Sequence, residues 1–324
     1  VQSVAVTPSD AIYQLPPRRD NNGGGGGASG MRFRGGAGPT FLINGEPVQG
    51  GPRGGMSIID TITPEMIERI EIVKQPSVAQ ASVASSAVIN ILLKEPLDNR
   101  ISGSVKVGYG LRSSQQQESE NKQINIQADG RDNAWSYSVS ANQMWVDNTS
   151  LTKTETATGT REQARTVNRT MQMFAPRLQY DLDDQQKLIA ELFYRNIKMD
   201  GYSANQTQDD KNDSIRLNTR YERKDKDLSD KIRLSVERQT ETQLTRSLQN
   251  TIYTDETINE YGLAYDGMRK LDPDRQIKFG VDARSNNLDS NVSDSLDEQR
   301  YALYAEGSWR FTDRQTITLG ARQE

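Results

Sequence analysis

The chain has 324 residues, enough for a large core or two domains, yet only 34% are hydrophobic, 26% are charged, and the mean hydropathy is -0.78. A net charge of -4 and a pI near 5.3 argue against a nucleic-acid surface. With no cysteine and no histidine, disulfide scaffolds, thiol nucleophiles, histidine-based catalysis and the usual zinc sites are all excluded.

The chain opens on Val1 without a basic and apolar leader, so any signal peptide is expected to have been removed already. Val4 to Thr7 reads as a short strand, and Pro16-Pro17 then precedes Arg18-Arg19. Residues 21–30 are Asn-Asn, five glycines and Ala-Ser-Gly, which have little to pack and a large ordering cost, so they form a linker or loop. The run is no phosphate loop, because no Gly-Lys-Ser/Thr ending follows it.

From Met31 the sequence reads as a small mixed unit. Met31 to Gly36 is a short strand entering a turn at Gly35. Thr40 to Ile43 is a second strand, and Asn44-Gly45 is the strongest short hairpin signal, since both positions accept positive φ. Thr63-Pro64-Glu65 caps and opens a helix of one to two turns. Glu68 to Lys74 alternates charge with Ile70 and Ile72 and is a strand with a charged face; Val88 to Lys94 is the last strand before Glu95-Pro96. The expected division is 1–30 as N-terminal segment and glycine-rich linker or loop, 31–96 as a small α+β domain, and 97–324 as a strand repeat.

The repeat supplies most of the fold information. Trp135, Tyr137, Val139, Ala141 and Trp145 share one face of a strand, and Ser136, Ser138, Ser140 and Asn142 share the other. About eleven segments follow the same parity, near 101–109, 122–129, 134–146, 171–181, 186–199, 213–222, 230–239, 257–267, 275–284, 298–311 and 315–322. Tight turns follow the second, fourth, sixth, eighth and tenth, whereas long polar loops (110–121, 147–170, 200–212, 240–256 and 285–297) follow the odd ones. No apolar run is long enough for a membrane-crossing helix. Half-apolar strands with loops of alternating length predict a transmembrane antiparallel β-barrel, aromatic residues such as Tyr109, Trp135, Trp145, Tyr180 and Trp309 marking its interfaces. A soluble sandwich would not segregate its loops in that way. The acidic pairs Asp183-Asp184 and Asp209-Asp210 fall in expected loops without a nucleophile or base, which points away from an enzyme.

Four fragments in order, Met31-Arg32-Phe33-Arg34-Gly35, Phe41 to Val48, Ile67 to Pro76 and Ala87 to Lys94, together resemble the TonB-dependent outer-membrane receptors, in which a plug domain precedes a large β-barrel. Asn44 stands where that family's hairpin carries Asp, and Gln75 replaces a Gly. The family's barrels have about twenty-two strands, so the sequence is expected to hold a plug inside the lumen and the N-terminal half of the barrel. The resemblance implies the outer membrane of a Gram-negative bacterium, no catalysis and no cofactor or bound metal. It also implies a TonB energy-transducing complex as partner, outer-membrane lipid around the barrel, and active uptake of a large scarce solute. A ferric siderophore is favoured by the family's frequency of use; cobalamin or an oligosaccharide or peptide is the alternative cargo, and a non-energised channel or adhesin the alternative function. Arg32, Arg34, Glu68, Arg69, Glu71 and Lys94 are expected to be plug–barrel contacts, and Gly35, Asn44 and Gly45 plug turns. Val4 to Thr7 is a candidate TonB-contacting segment.

Overall fold

The computed structural model describes residues 40–47, 62, 66–73, 88–94, 101–114, 117–156, 159–312 and 315–323. Two sheets hold them. The smaller has the strand order β2-β1-β4-β3, from β1 (Thr40–Ile43), β2 (Glu46–Pro47), β3 (Ile67–Val73) and β4 (Val88–Leu93). β1 and β2 form the expected hairpin, and β1 runs parallel to β4 with Phe41 beside Ile89 and Ile43 beside Ile91. The strand at Met31 and the start of the short helix lie outside the described residues; Ile67 already opens β3.

The larger sheet has eleven antiparallel strands in strict sequence order, each paired with its chain neighbours. They are β5 (Ser102–Ser113), β6 (Gln117–Asp132), β7 (Trp135–Thr156), β8 (Gly159–Asp181), β9 (Gln186–Ser203) and β10 (Gln206–Lys224), then β11 (Leu228–Ser247), β12 (Thr251–Asp272), β13 (Arg275–Ser290), β14 (Leu296–Thr312) and β15 (Gln315–Gln323). Only neighbours in the chain pair, the up-and-down meander that barrels use.

The long polar loops are corrected by the structure: most of their length is strand. β7 continues to Thr156 and β8 starts at Gly159, so in the segment expected as a loop over 147–170 the described residues form a ladder, from Asp147 opposite Asn168 to Thr156 opposite Gly159. The other four expected loops are likewise taken up largely by strand, β5 running to Ser113 and β6 starting at Gln117, with short connections at 204–205, 248–250 and 291–295 in the remaining three. The pairing is made by main-chain hydrogen bonds, which need no apolar alternation, and where both faces meet water the side-chain period disappears. β7 and β8 have 22 and 23 residues, about twice what a tilted strand needs to cross a bilayer. The asymmetry between the two ends therefore lies in strand protrusion, not in loop length.

Burial is inverted relative to a soluble sheet. The small sheet packs through Phe41, Ile43, Ile89 and Ile91 onto Met173 and Ala175 of β8 and Phe193 of β9, which defines the inner face. Polar and charged residues share that parity and are buried: Asn142, Arg177, Glu191, Arg195, Arg216 and Arg220. The opposite face is exposed and apolar, with Leu188, Ile215, Leu217, Leu234, Val281 and Leu303, the last 62% exposed. Burying arginine while exposing leucine is unfavourable in water; it suits a wall with lipid outside and a polar lumen.

Candidate functional site

The place where the small sheet meets the wall is built from the hairpin turn upward. Asn44 and Gly45 have φ of 51° and 82°, the left-handed pair that a two-residue hairpin requires and that asparagine and glycine best tolerate. The turn is fastened to β4: the Asn44 amide donates to the Ile91 carbonyl at 2.9 Å, Asn44 Oδ1 accepts from the Leu93 amide at 3.0 Å, and Asn90 Oδ1 accepts from the Gly45 amide at 2.9 Å. The Asn44 carboxamide oxygen is thereby committed to its own sheet, and Nδ2 donates outward to Glu191 Oε1 of β9 at 2.7 Å.

Glu191 is 2% exposed. Arg177 Nε lies 3.2 Å from its Oε1 and Arg220 Nη1 lies 3.8 Å from its Oε2, while Arg220 Nε also reaches Glu222 at 2.7 Å. The register explains the meeting, since Arg177 faces Glu191 across β8–β9 and both fall on the inner face. Two arginines also donate to the turn's carbonyls, Arg220 Nη1 to Asn44 O at 3.4 Å and Arg233 Nη1 to Gly45 O at 3.5 Å. Arg233 is held by Asp266 at 2.7 Å, and the Tyr304 hydroxyl donates to the same carboxylate. Tyr304 reaches Asp266 across Gly280; a Cβ there would strike the Tyr304 ring and the Tyr265 carbonyl. Beside the turn lies a cavity of about 420 Å³, bounded by Glu68, Arg69 and Asn90 on one side and Arg220, Glu222 and Lys231 on the other.

The residues singled out in the sequence are distributed unevenly. Arg32, Arg34 and Gly35 lie outside the described residues. Arg69 pairs with its own strand, with Glu68 at 2.5 Å and Glu71 at 3.0 Å, and its side chain is 56% exposed. Glu71 also accepts from Asn90 Nδ2 at 3.4 Å. Lys94 is exposed, and its backbone amide donates to the Met66 carbonyl at 2.9 Å. Asn44 and Gly45 stand directly on the wall. Asp183-Asp184 is in a turn, but Asp209-Asp210 is within β10, where successive side chains point to opposite faces and do not act as a pair. Gln208 Nε2 donates to the Asp210 carboxylate at 2.7 Å.

The TonB-dependent Receptor Plug Domain family matches residues 2–88. Those residues are similar to the plug domain of the TonB-dependent receptors. The match takes in the small sheet as far as Val88 and the glycine tract before it. Among solved structures, FpvA of P. aeruginosa bound to a heterologous ferric pyoverdine superposes with a TM-score of 0.65 at 11% identity, over 86% of this chain and 49% of that one. A mutant of PfeA, the ferric enterobactin receptor from Pseudomonas aeruginosa, gives 0.65 at 15% identity over 88% and 49%. BauA, the ferric preacinetobactin receptor from Acinetobacter baumannii, gives 0.59 at 12% over 87% and 55%. The plug is thus followed by a wall with the fold of these receptors' barrels, and the chain spans about half the length of the solved receptors it matches. No curated protein matches it in sequence.

The wall side of the plug seat was missed in the sequence. Glu191 and Arg220 read only as the polar faces of strands 186–199 and 213–222, and nothing in the sequence singled out Arg177 or Arg233. One signal was available: in β9, Ile189, Phe193 and Ile197 interrupt that polar face while Leu188, Ala190 and Leu192 fill the other. A strand apolar on both sides has something packed on each.

Proposed function

We propose that the protein is an outer-membrane receptor that imports a large scarce solute, a ferric siderophore, with energy delivered through TonB, and that it is not an enzyme. The observation that carries this reading is a plug domain seated against the polar inner face of a wall whose outer face is apolar. A plugged lumen has no use as an open pore; it needs a cargo that triggers passage and a machine that moves the plug. The siderophore assignment draws support from the solved receptors of the same fold, whose described ligands are ferric chelates. The extended hairpins carry amide and hydroxyl groups such as Asn148, Gln206 and Ser285 but few aromatics besides Tyr202 and Tyr253, which disfavours a sugar-stacking surface.

In this reading residues 31–96 form the plug proper, 97–324 the barrel wall, and Val4 to Thr7 is the candidate contact for TonB. Arg32, Arg34, Glu68, Arg69, Glu71 and Lys94 are the charges available to exchange partners with the wall as the plug moves. The test is uptake of radiolabelled ferric siderophores, cobalamin and oligosaccharides by a strain lacking the parent gene, grown poor and rich in iron. Loss of one ferric chelate's uptake, with expression raised by iron scarcity, is expected. Unimpaired uptake of every ferric chelate, with expression indifferent to iron, would sink the siderophore assignment.

A further inference from the structure

We propose that the Asn44–Glu191 contact is the latch that keeps the plug closed against the wall, and that its selectivity lies in pairing an amide with a carboxylate. The inference rests on the gated-receptor reading above. Three observations carry it. Asn44 Nδ2 is the donor that the turn leaves over after its carboxamide oxygen has been used by Leu93, and it meets Glu191 Oε1 at 2.7 Å. Glu191 is nearly inaccessible to water and lies between Arg177 and Arg220 of the wall, and its remaining acceptor capacity is offered to the plug. On the other side of the turn Arg69 pairs within its own strand, with Glu68 and Glu71, and a cavity lies between that strand and Glu222 and Lys231. The turn thus makes polar contacts to Glu191, Arg220 and Arg233, and space for movement lies next to it.

An aspartate at position 44 would keep the contact with the Leu93 amide but set a second carboxylate against Glu191, where like charges at hydrogen-bond distance cannot both remain ionised at low cost. Glutamine at 191 would restore a donor–acceptor pair with the roles reversed, its Nε2 donating to the carboxylate introduced on the turn.

The experiment uses the full-length receptor in planar bilayers and in cells. Asn44→Asp is expected to raise resting ion conductance and sensitivity to a large antibiotic at least severalfold over the parent. Adding Glu191→Gln to that variant is expected to return both to near the parent level. Folding is checked by the heat-modified mobility of the barrel on gels, which a latch variant should not change. Parent-like conductance of Asn44→Asp overturns the latch, and so does a leak that Glu191→Gln leaves untouched. Conductance is read without ligand, so a mistaken siderophore assignment would show in the uptake assay and leave this result intact.

Discussion

Glu191 illustrates how much of the wall's chemistry depends on one side chain. A buried carboxylate is costly unless its charge is answered, and here two arginines and the plug's amide answer it. Removing it takes this carboxylate from Arg177, whose side chain is 7% exposed and which also donates to Gln179 at 3.2 Å, and leaves Arg220 with Glu222. Glu191→Ala is expected to destabilise the folded barrel by about 3 kcal/mol, the low end for breaking a buried pair, seen as a lower urea midpoint in detergent. An unchanged midpoint would mean that water reaches the arginines and the pair counts for little. Gly280 makes a second prediction by subtraction. Because a Cβ would meet both the Tyr304 ring and the Tyr265 carbonyl, Gly280→Val should push Tyr304 off Asp266 and cost about 1–3 kcal/mol through overpacking. The same variant with Tyr304→Ala should recover part of that loss, and no recovery would place the strain elsewhere.

At the scale of strands, the decisive feature is parity, and parity was legible. Trp135, Val139 and Ala141 against Ser136, Ser140 and Asn142 can be read from the sequence because a bilayer and a lumen demand different chemistry from alternate positions, and the structure puts the first set outside and the second inside. Spin labels at 139 and 140 in bilayers should therefore separate into a lipid-accessible and a plug- or lumen-facing environment; equal aqueous accessibility at both sites contradicts the wall as described. An arginine in place of Leu303, if it lies at the bilayer midplane, should cost about 2–4 kcal/mol. Strand length was not legible, because in 147–156 and 163–170 both faces are polar and nothing in the composition distinguishes a ladder from a loop. Hydrogen exchange decides this directly: the amides of 147–151 should be protected as those of a paired strand are, whereas a loop would exchange them freely. The plug turn was legible for a local reason, Asn-Gly at consecutive positive-φ sites. Its partner was not, since Glu191 lies 147 residues away and only the fold brings them together.

For the whole molecule the question is what the two sheets do to each other. The plug's described core includes Phe41, Ile43, Ile62, Ile89 and Ile91, and it is completed by Met173, Ala175 and Phe193 of the wall. The four described strands are short, and three wall residues complete their apolar core, so packing against the barrel adds to the plug's stability. The reverse dependence is weaker. Each wall strand's main-chain hydrogen bonds are made to its neighbours in the larger sheet, and among the described residues its outer apolar face makes no contact with the plug. This asymmetry predicts the outcome of removing residues 31–96 from the full-length receptor. The barrel should still fold and insert, because it loses side-chain packing along β8 and β9 but no strand pairing, and its resting conductance should rise well above the parent level as the lumen empties. On the proposed function, import should become passive, insensitive to loss of TonB and without high affinity. Uptake that stays tight and energy-dependent after the deletion would show that the plug is not the gate, and a barrel that fails to insert would show that the apolar seam at Met173 and Phe193 supports the wall as much as it supports the plug.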